Sequence, residues 1–242
     1  MSDLYSENFY DRITPGSVQS ARAILPLVFE RFRPQSLVDF GCGSAAWLSV
    51  AQELGVADVT GVDGPWVGLD SLQIPPELFV RCDLSVEDPR LDRHFDMAMS
   101  TEVAEHLPPH RSAALVDLLC RSADLVVFSA AIPQQGGVGH INERWQSYWV
   151  GEFKRNGYGV LDIVRPRVWT DATVGECYRQ NLLVFARGAE DEAAMIDVVH
   201  PFYAIRGLAV PRHPLVRATR AKLKLVRNWA RRRLHADRRQ DH

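Results

Sequence analysis

Residues 37–48 read LVDFGCGSAAWL: an apolar run, two glycines around Cys42, then small residues leading into a second apolar stretch. A buried strand that turns sharply into a helix has this composition. Gly41 and Gly43 let the backbone fold back and approach a ligand at the start of the next helix, which is expected near Ser44. In the dinucleotide spacing G-x-G-x-x-G the third position falls on Ala46, so the stretch alone leaves a phosphate site and a plain turn both open.

Its surroundings decide the fold class. Seven short apolar runs, SLVDFG (36–41), DVTGVD (58–63), LFVRCD (78–83), FDMAMS (95–100), DLVVFSA (124–130), GVLDIV (159–164) and NLLVFAR (181–187), read as strands. Between them, 44–55, 108–123 and 142–157 have helical periods, and 17–32 precedes them as a further helix with Pro26 as a kink. PWVGLDSLQIPPE (65–77) is too rich in Pro and Gly for one long helix. Strands alternating with helices predict an α/β fold with a mostly parallel sheet and helices on both faces. The last run follows its neighbour without a helical crossover, which predicts an antiparallel pairing at the edge.

The bulk numbers bound the class. The 242 residues, with 46% apolar and 24% charged, suit a globular protein with a sizeable core, and no apolar run approaches a membrane span. Four cysteines stand without CxxC or zinc spacing, and the N-terminus is polar and acidic, so a cytoplasmic location is expected. Charge is uneven. Residues 211–242 hold 11 of the 28 Lys and Arg against only Asp237 and Asp241, leaving the preceding chain acidic.

Ligands of open α/β sheets sit beyond the carboxyl ends of the strands. There the first three strands carry Asp39, Asp63 and Asp83. A carboxylate at Asp63 can accept from a ribose diol, and one at Asp83 from an exocyclic amine, with a turn or helix cap as the plainer role for each.

LVDFGCGSAAWL, GVDG, RCDL and FDMAMSTEVAEHL, in this order and spacing, resemble the class I S-adenosylmethionine-dependent methyltransferases. VVFSAAIPQQGGVGHINERWQSYW and YRQNLLVF resemble a bacterial subgroup often associated with polysaccharide or secondary-metabolite gene sets. The resemblance spans about Ser17 to Arg187 and implies a Rossmann-like seven-stranded sheet. It implies that Asp39 with Gly41, Cys42 and Gly43 faces the methionine part of S-adenosylmethionine, Asp63 the ribose, and Asp83 with Leu84 the adenine. Ala45 stands where the usual motif has a third glycine. The implied division is a lid or helix over 1–35, the methyltransferase domain over 36–190 and a basic helical extension over 191–242.

TEVAEH (101–106) follows the fourth strand, beside the expected methyl group. Glu102 and His106 share a helical face if a helix begins by Glu102, with Glu105 at its edge. Two readings stand. In one, Glu102 stabilises the helix start and His106 is a general base. In the other, Glu102, Glu105, His106 and His140, which follows the glycine-rich loop PQQGGVG, hold Mg²⁺ or Mn²⁺ and lower the pKa of an acceptor hydroxyl. The small-RNA 2′-O-methyltransferase family carries a similar Glu-x-x-Glu-His run and later histidine around a divalent ion.

Trp145, Tyr148, Trp149 and Phe153 fall near one helical face, expected as core, with a ring-binding wall flanked by Asn142 and Gln146 as the sharper alternative. Tyr5, Phe9 and Tyr10 form a lid or a loose terminus. Arg179, Gln180 and Asn181 enter the last strand or reach the acceptor. The basic tail packs back on the domain, docks on a membrane surface or protein, or binds phosphate backbone, in that order of expectation. Pairing into a homodimer is a further expectation. The combined reading is methyl transfer from S-adenosylmethionine to an oxygen of a saccharide or small metabolite, ahead of RNA. An NAD-dependent oxidoreductase and a noncatalytic scaffold that binds the same donor are the rivals from other classes.

Overall fold

Strands buried on both faces need apolar side chains at successive positions, and β1 (Ser36–Phe40) meets that demand with all five residues buried. The computed structural model describes residues 7–193 and 195–205. In chain order its main elements are α1 (Glu7–Phe32), β1, α2 (Ala46–Glu53), β2 (Asp58–Asp63), β3 (Phe79–Arg81), β4 (Met97–Thr101), α3 (Ser112–Ser122), β5 (Leu125–Ser129), α4 (Gln146–Arg155), β6 (Tyr158–Leu161), α5 (Arg165–Val168), α6 (Glu176–Asn181), β7 (Leu183–Arg187) and α7 (Pro201–Ile205). All seven expected strands are present.

The sheet order is β3-β2-β1-β4-β5-β7-β6, with β1 to β5 parallel and β7 antiparallel to both its neighbours. Successive residues of a strand feed opposite faces. Met97 and Met99 enter the cluster that holds Leu25, Trp47 and Leu48, while Ala98 joins Leu119, Phe128 and Trp149 on the other side.

Two expectations are corrected. The antiparallel strand is not at the edge: β7 lies between β5 and β6. Leu183, Val184 and Phe185 are all buried, as an interior strand requires, and α5 and α6 carry the chain across before it returns. The edge falls to β6, partly covered where Glu192 N–H donates to Val160 O at 2.8 Å and Asp162 N–H to Glu192 O at 2.9 Å. Nor does an α-helix begin at Glu102. Glu102 has φ +55° and two short 3₁₀ turns, Ala104–His106 and Pro109–Arg111, follow, because Pro108 and Pro109 block continuation of the first and the α-helix waits until Ser112.

The chain runs outward from β1 to β3 and then returns to β4 on the other side. This reversal opens a crevice at the β1/β4 carboxyl ends. Trp149 and Phe153 of α4 are core residues, stacked among Phe128 and Phe185. Asn142 and Gln146 are buried and bonded to Ala104 O, Ser112 Oγ and Gln180 O. Among the described residues none of this face lines the crevice, and the core reading holds for Trp149 and Phe153, while Trp145 and Tyr148 are half-buried. The side chains of Tyr5, Phe9 and Tyr10, and the basic stretch 211–242, lie outside the described residues. No described helix is long and apolar enough to cross a membrane.

Candidate active site

A cavity of about 740 Å³ occupies this crevice, and Asp39, Gly41, Cys42, Gly43, Asp63, Asp83, Leu84, Glu102, Glu105, His106 and His140 all line it. The positions singled out for the methyl donor and for the base or metal therefore border one space, whereas Arg179, Gln180 and Asn181 do not line it.

At the first end the β1 turn closes by Gly41 N–H and Cys42 N–H donating to Val62 O at 2.7 and 3.1 Å. A Cβ on Gly41 would meet the Val103 side chain at 2.3 Å, so only glycine lets the two loops pack. Asp63 accepts from Gly43 N–H at 2.7 Å and from Gly64 N–H at 2.6 Å, with Trp66 a further donor. Its carboxylate therefore fixes the turn as well as lining the cavity. Burial still raises its pKa to about 6 against those donors. Asp39, 1% exposed, leaves Oδ1 without a partner, and burial followed by the charge of Asp63 raises its pKa to about 7. Asp83 Oδ1 accepts from Ser85 N–H at 2.9 Å and is 2.6 Å from Ser85 Oγ, so the turn role is real and coexists with its place on the wall. Helix α2 begins at Ala46, two residues later than Ser44, because Ala45 takes a left-handed conformation of φ 62°, ψ 30°.

The second end differs. Glu102 N–H donates to Ser129 O at 3.0 Å, and its carboxylate accepts from Asn181 Nδ2 at 3.1 Å and Gln135 Nε2 at 3.3 Å. Burial raises its pKa against these donors. Glu105 is fully buried, with the Glu102 carboxyl and the main chain of Glu105 and Ala131 beside its oxygens, but no hydrogen bond of good geometry reaches either oxygen. Burial, then the charge of Glu102, drives its pKa well above the carboxylate range. His106 is lowered to about 4, by burial first and by His140 second, and is neutral at pH 7. The His106 and His140 rings meet edge to face at 4.8 Å. Behind them, Glu143 lies 3.1 Å from His140 Nδ1 and accepts from Gln134 N–H and Gly136 N–H at 2.6 and 2.9 Å. A Cβ on Gly137 would touch the His140 ring at 2.2 Å, so the glycine run of the loop is what seats this histidine.

Ligand atoms of Glu105, His106 and His140 lie within 4.8 Å of one another. Glu102 stays outside that group, its carboxylate turned to Asn181 and Gln135. Asn181, expected either to enter the strand or to reach the acceptor, thus acts through Glu102, while Gln180 is bonded to Val198 O and His200 N–H. Sequence reasoning missed Trp66, and Tyr178, which packs edge-on to Trp47 at 5.1 Å and lies 3.4 Å from Ser17 Oγ across the mouth. One signal for Trp66 was present: Gly64 directly after a strand, where a Cβ would strike the indole at 2.1 Å.

The fold, the switch-point cavity and its ring of strand-end carboxylates define a class I methyltransferase. Residues 10–153 match the family described as methyltransferase domain, and the chain belongs to that family. No curated protein matches it. Among solved structures, Streptomyces venezuelae DesVI is similar at TM-score 0.57 and 16% identity, over 76% of this chain and 97% of that one. The methyltransferase domain of bacterial CtHen1-C is similar at TM-score 0.53 and 21% identity, over 71% and 98%. Human N-acetylserotonin methyltransferase, in complex with S-adenosylmethionine, is similar at TM-score 0.50 and 14% identity, over 70% of this chain, which spans 52% of that enzyme. At these identities the likeness is one of fold.

Proposed function

We propose that the chain binds S-adenosylmethionine and transfers its methyl group to a hydroxyl of a saccharide or small metabolite. The observation that carries this reading is the unpartnered Oδ1 of Asp39, buried in the cavity wall beside the Gly41–Gly43 turn. A buried carboxyl without a partner is costly unless a ligand supplies a donor or positive charge, and the donor's ammonium and sulfonium groups offer both. Asp63 and Asp83 extend the same wall in the order that suits ribose and adenine. When bound, the donor supplies an electrophilic methyl group for in-line displacement.

The chain's own part is orientation and handling of one proton. Holding an acceptor oxygen in line accounts for up to about 7–11 kcal/mol of such a barrier. Glu105, His106 and His140 stand where that oxygen would lie. With its pKa near 4, His106 is a weak base but a ready neutral donor of electron pairs. This favours the second reading of the pair. Glu105, His106 and His140 would suit Mn²⁺ better than Mg²⁺, because two imidazoles favour a transition metal over an ion that takes oxygen ligands, and a cation would satisfy a buried carboxyl that makes no hydrogen bond of good geometry. Such an ion would lower the pKa of the acceptor hydroxyl.

Calorimetry of the purified chain with S-adenosylmethionine and with its demethylated product tests the first reading. Heat from both is expected, and heat from neither sinks it. For the ion, the thermal midpoint should rise with Mn²⁺ in wild type and not in Glu105→Gln, and equal shifts in the two would reject this ligand set.

A further inference from the structure

Apart from His106 and His140, the acid and base side chains that line the cavity are acids. Asp39, Asp63, Asp83, Glu102, Glu105 and Glu176 line it, and no Lys or Arg among the described residues does. The arginines bonded to its margins are already committed. Arg111 donates to Leu84 O, Glu87 O and Asp88, and Arg81 to Pro65 O. Arg179 is the exception, with Glu176 at 4.0 Å and its Nε unpartnered, but it does not line the cavity. Sites for phosphate or carboxylate are built the other way, with guanidinium forks or lysines turned inward.

A second observation says what the wall lacks. Glu105 is fully buried in it beside the Glu102 carboxyl, and its oxygens make no hydrogen bond of good geometry, so a group that donates hydrogen bonds or brings positive charge satisfies this pair of acids best. We propose that the acceptor is an uncharged polyhydroxyl compound whose hydroxyls donate to Glu105, and that acceptors bearing phosphate or carboxylate are rejected. The inference rests on the methyl-transfer reading. A divalent ion on Glu105, His106 and His140 would take the Glu105 oxygens and meet the acceptor hydroxyl in their place, but the rejection of anions would stand: two positive charges facing the carboxylates of Glu102 and Glu105 bring that end near neutrality and give no excess for an anion.

The test uses the full chain, methyl-labelled S-adenosylmethionine, and an extract of source cells from which the gene has been deleted, with products separated by anion exchange. Label is expected in the unretained fraction, on a compound that phosphatase leaves unchanged. Label that the exchanger retains, or that ribonuclease releases from RNA, overturns the proposal. So does an absence of label in every fraction, and the calorimetry above then shows whether the methyl-donor reading has failed with it. For an acceptor so found, a phosphate on a neighbouring hydroxyl should lower kcat/KM at least about 30-fold, the effect of one like-charge pair roughly 8 Å apart in a partly screened cavity. Equal use of the phosphorylated form would also overturn the proposal.

Discussion

At the tips of β1 to β3 the acidic side chains are wired into the main chain, Asp63 through Gly43 and Gly64 and Asp83 through Ser85. At the tip of β4, Glu102 is held by the side-chain amides of Asn181 and Gln135, while Glu105 is anchored through its carbonyl by Ile141 N–H and Asn142 N–H and its carboxyl has only the Glu102 side chain and nearby main chain beside it. The first end is thus specified locally, by residues that build the turns they decorate. The second is assembled from β4, the loop after β5 and α6, so its geometry depends on tertiary packing. Local wiring predicts that damage at the first end spreads into the fold, whereas damage at the second stays in the chemistry.

The largest effect should come from Asp63→Ala. The buried N–H of Gly64 loses its acceptor at about 1–3 kcal/mol and the part-buried N–H of Gly43 at less, so the melting temperature should fall and affinity for S-adenosylmethionine should drop at least about 100-fold. Melting and calorimetry on the same preparation read both. An unchanged melting temperature would mean that the turn holds itself and the contrast with the second end is false.

Asp39→Asn sharpens the contrast through pH. A carboxyl raised to about 7 in the folded protein, from an ordinary 3.8, contributes stability that is complete below about 3.8 and is lost as pH rises through 7. Asp63, raised to about 6, acts in the same direction. His106, lowered to about 4 from 6.5, acts in the opposite one: its stabilising share is present above 6.5 and is lost as pH falls through 4. The two ends therefore titrate with opposite sign. In Asp39→Asn the loss of stability between pH 5 and 8 should shrink. Because the cationic donor prefers ionised Asp39, wild-type affinity should rise as pH passes 7. The variant should bind about 10- to 100-fold more weakly at pH 8, with a flat profile. A pH-dependent affinity that survives in the variant would place the titrating group elsewhere.

The same division explains what could be read in the sequence. All seven strands and the roles of Gly41, Gly43, Asp39, Asp63 and Asp83 as cavity residues follow from apolar runs and strand ends, which are local signals. The place of β7 inside the sheet is not local, since it depends on how α5 and α6 cross. Glu105, His106 and His140 were legible as a group of types but not as a geometry. Their shared face depends on a helix beginning by Glu102, and around Pro108 and Pro109 the chain forms two short 3₁₀ turns instead. Asn181 reaches Glu102 across 79 positions, a pairing no spacing rule announces.

The smallest effect is the cleanest measure of local strain. Ala45 and Glu102 both hold positive φ, at 62° and 55°, where a Cβ costs roughly 1–2 kcal/mol. At position 45 the side chain is only a buried methyl in the core cluster with Trp47 and Leu48, and glycine is what the family motif carries there. Ala45→Gly relieves the backbone and loses one methyl contact, with extra entropy in the unfolded chain, for a net gain of about 0.5 kcal/mol. The melting temperature should rise by a degree or two, with donor affinity unchanged. Glu102→Gly would relieve the same strain but delete the carboxylate that Asn181 and Gln135 hold, so donor binding should survive while turnover disappears. If Ala45→Gly instead destabilises the chain, the methyl packs better than the strain costs, and the first end is less local than its hydrogen bonds imply.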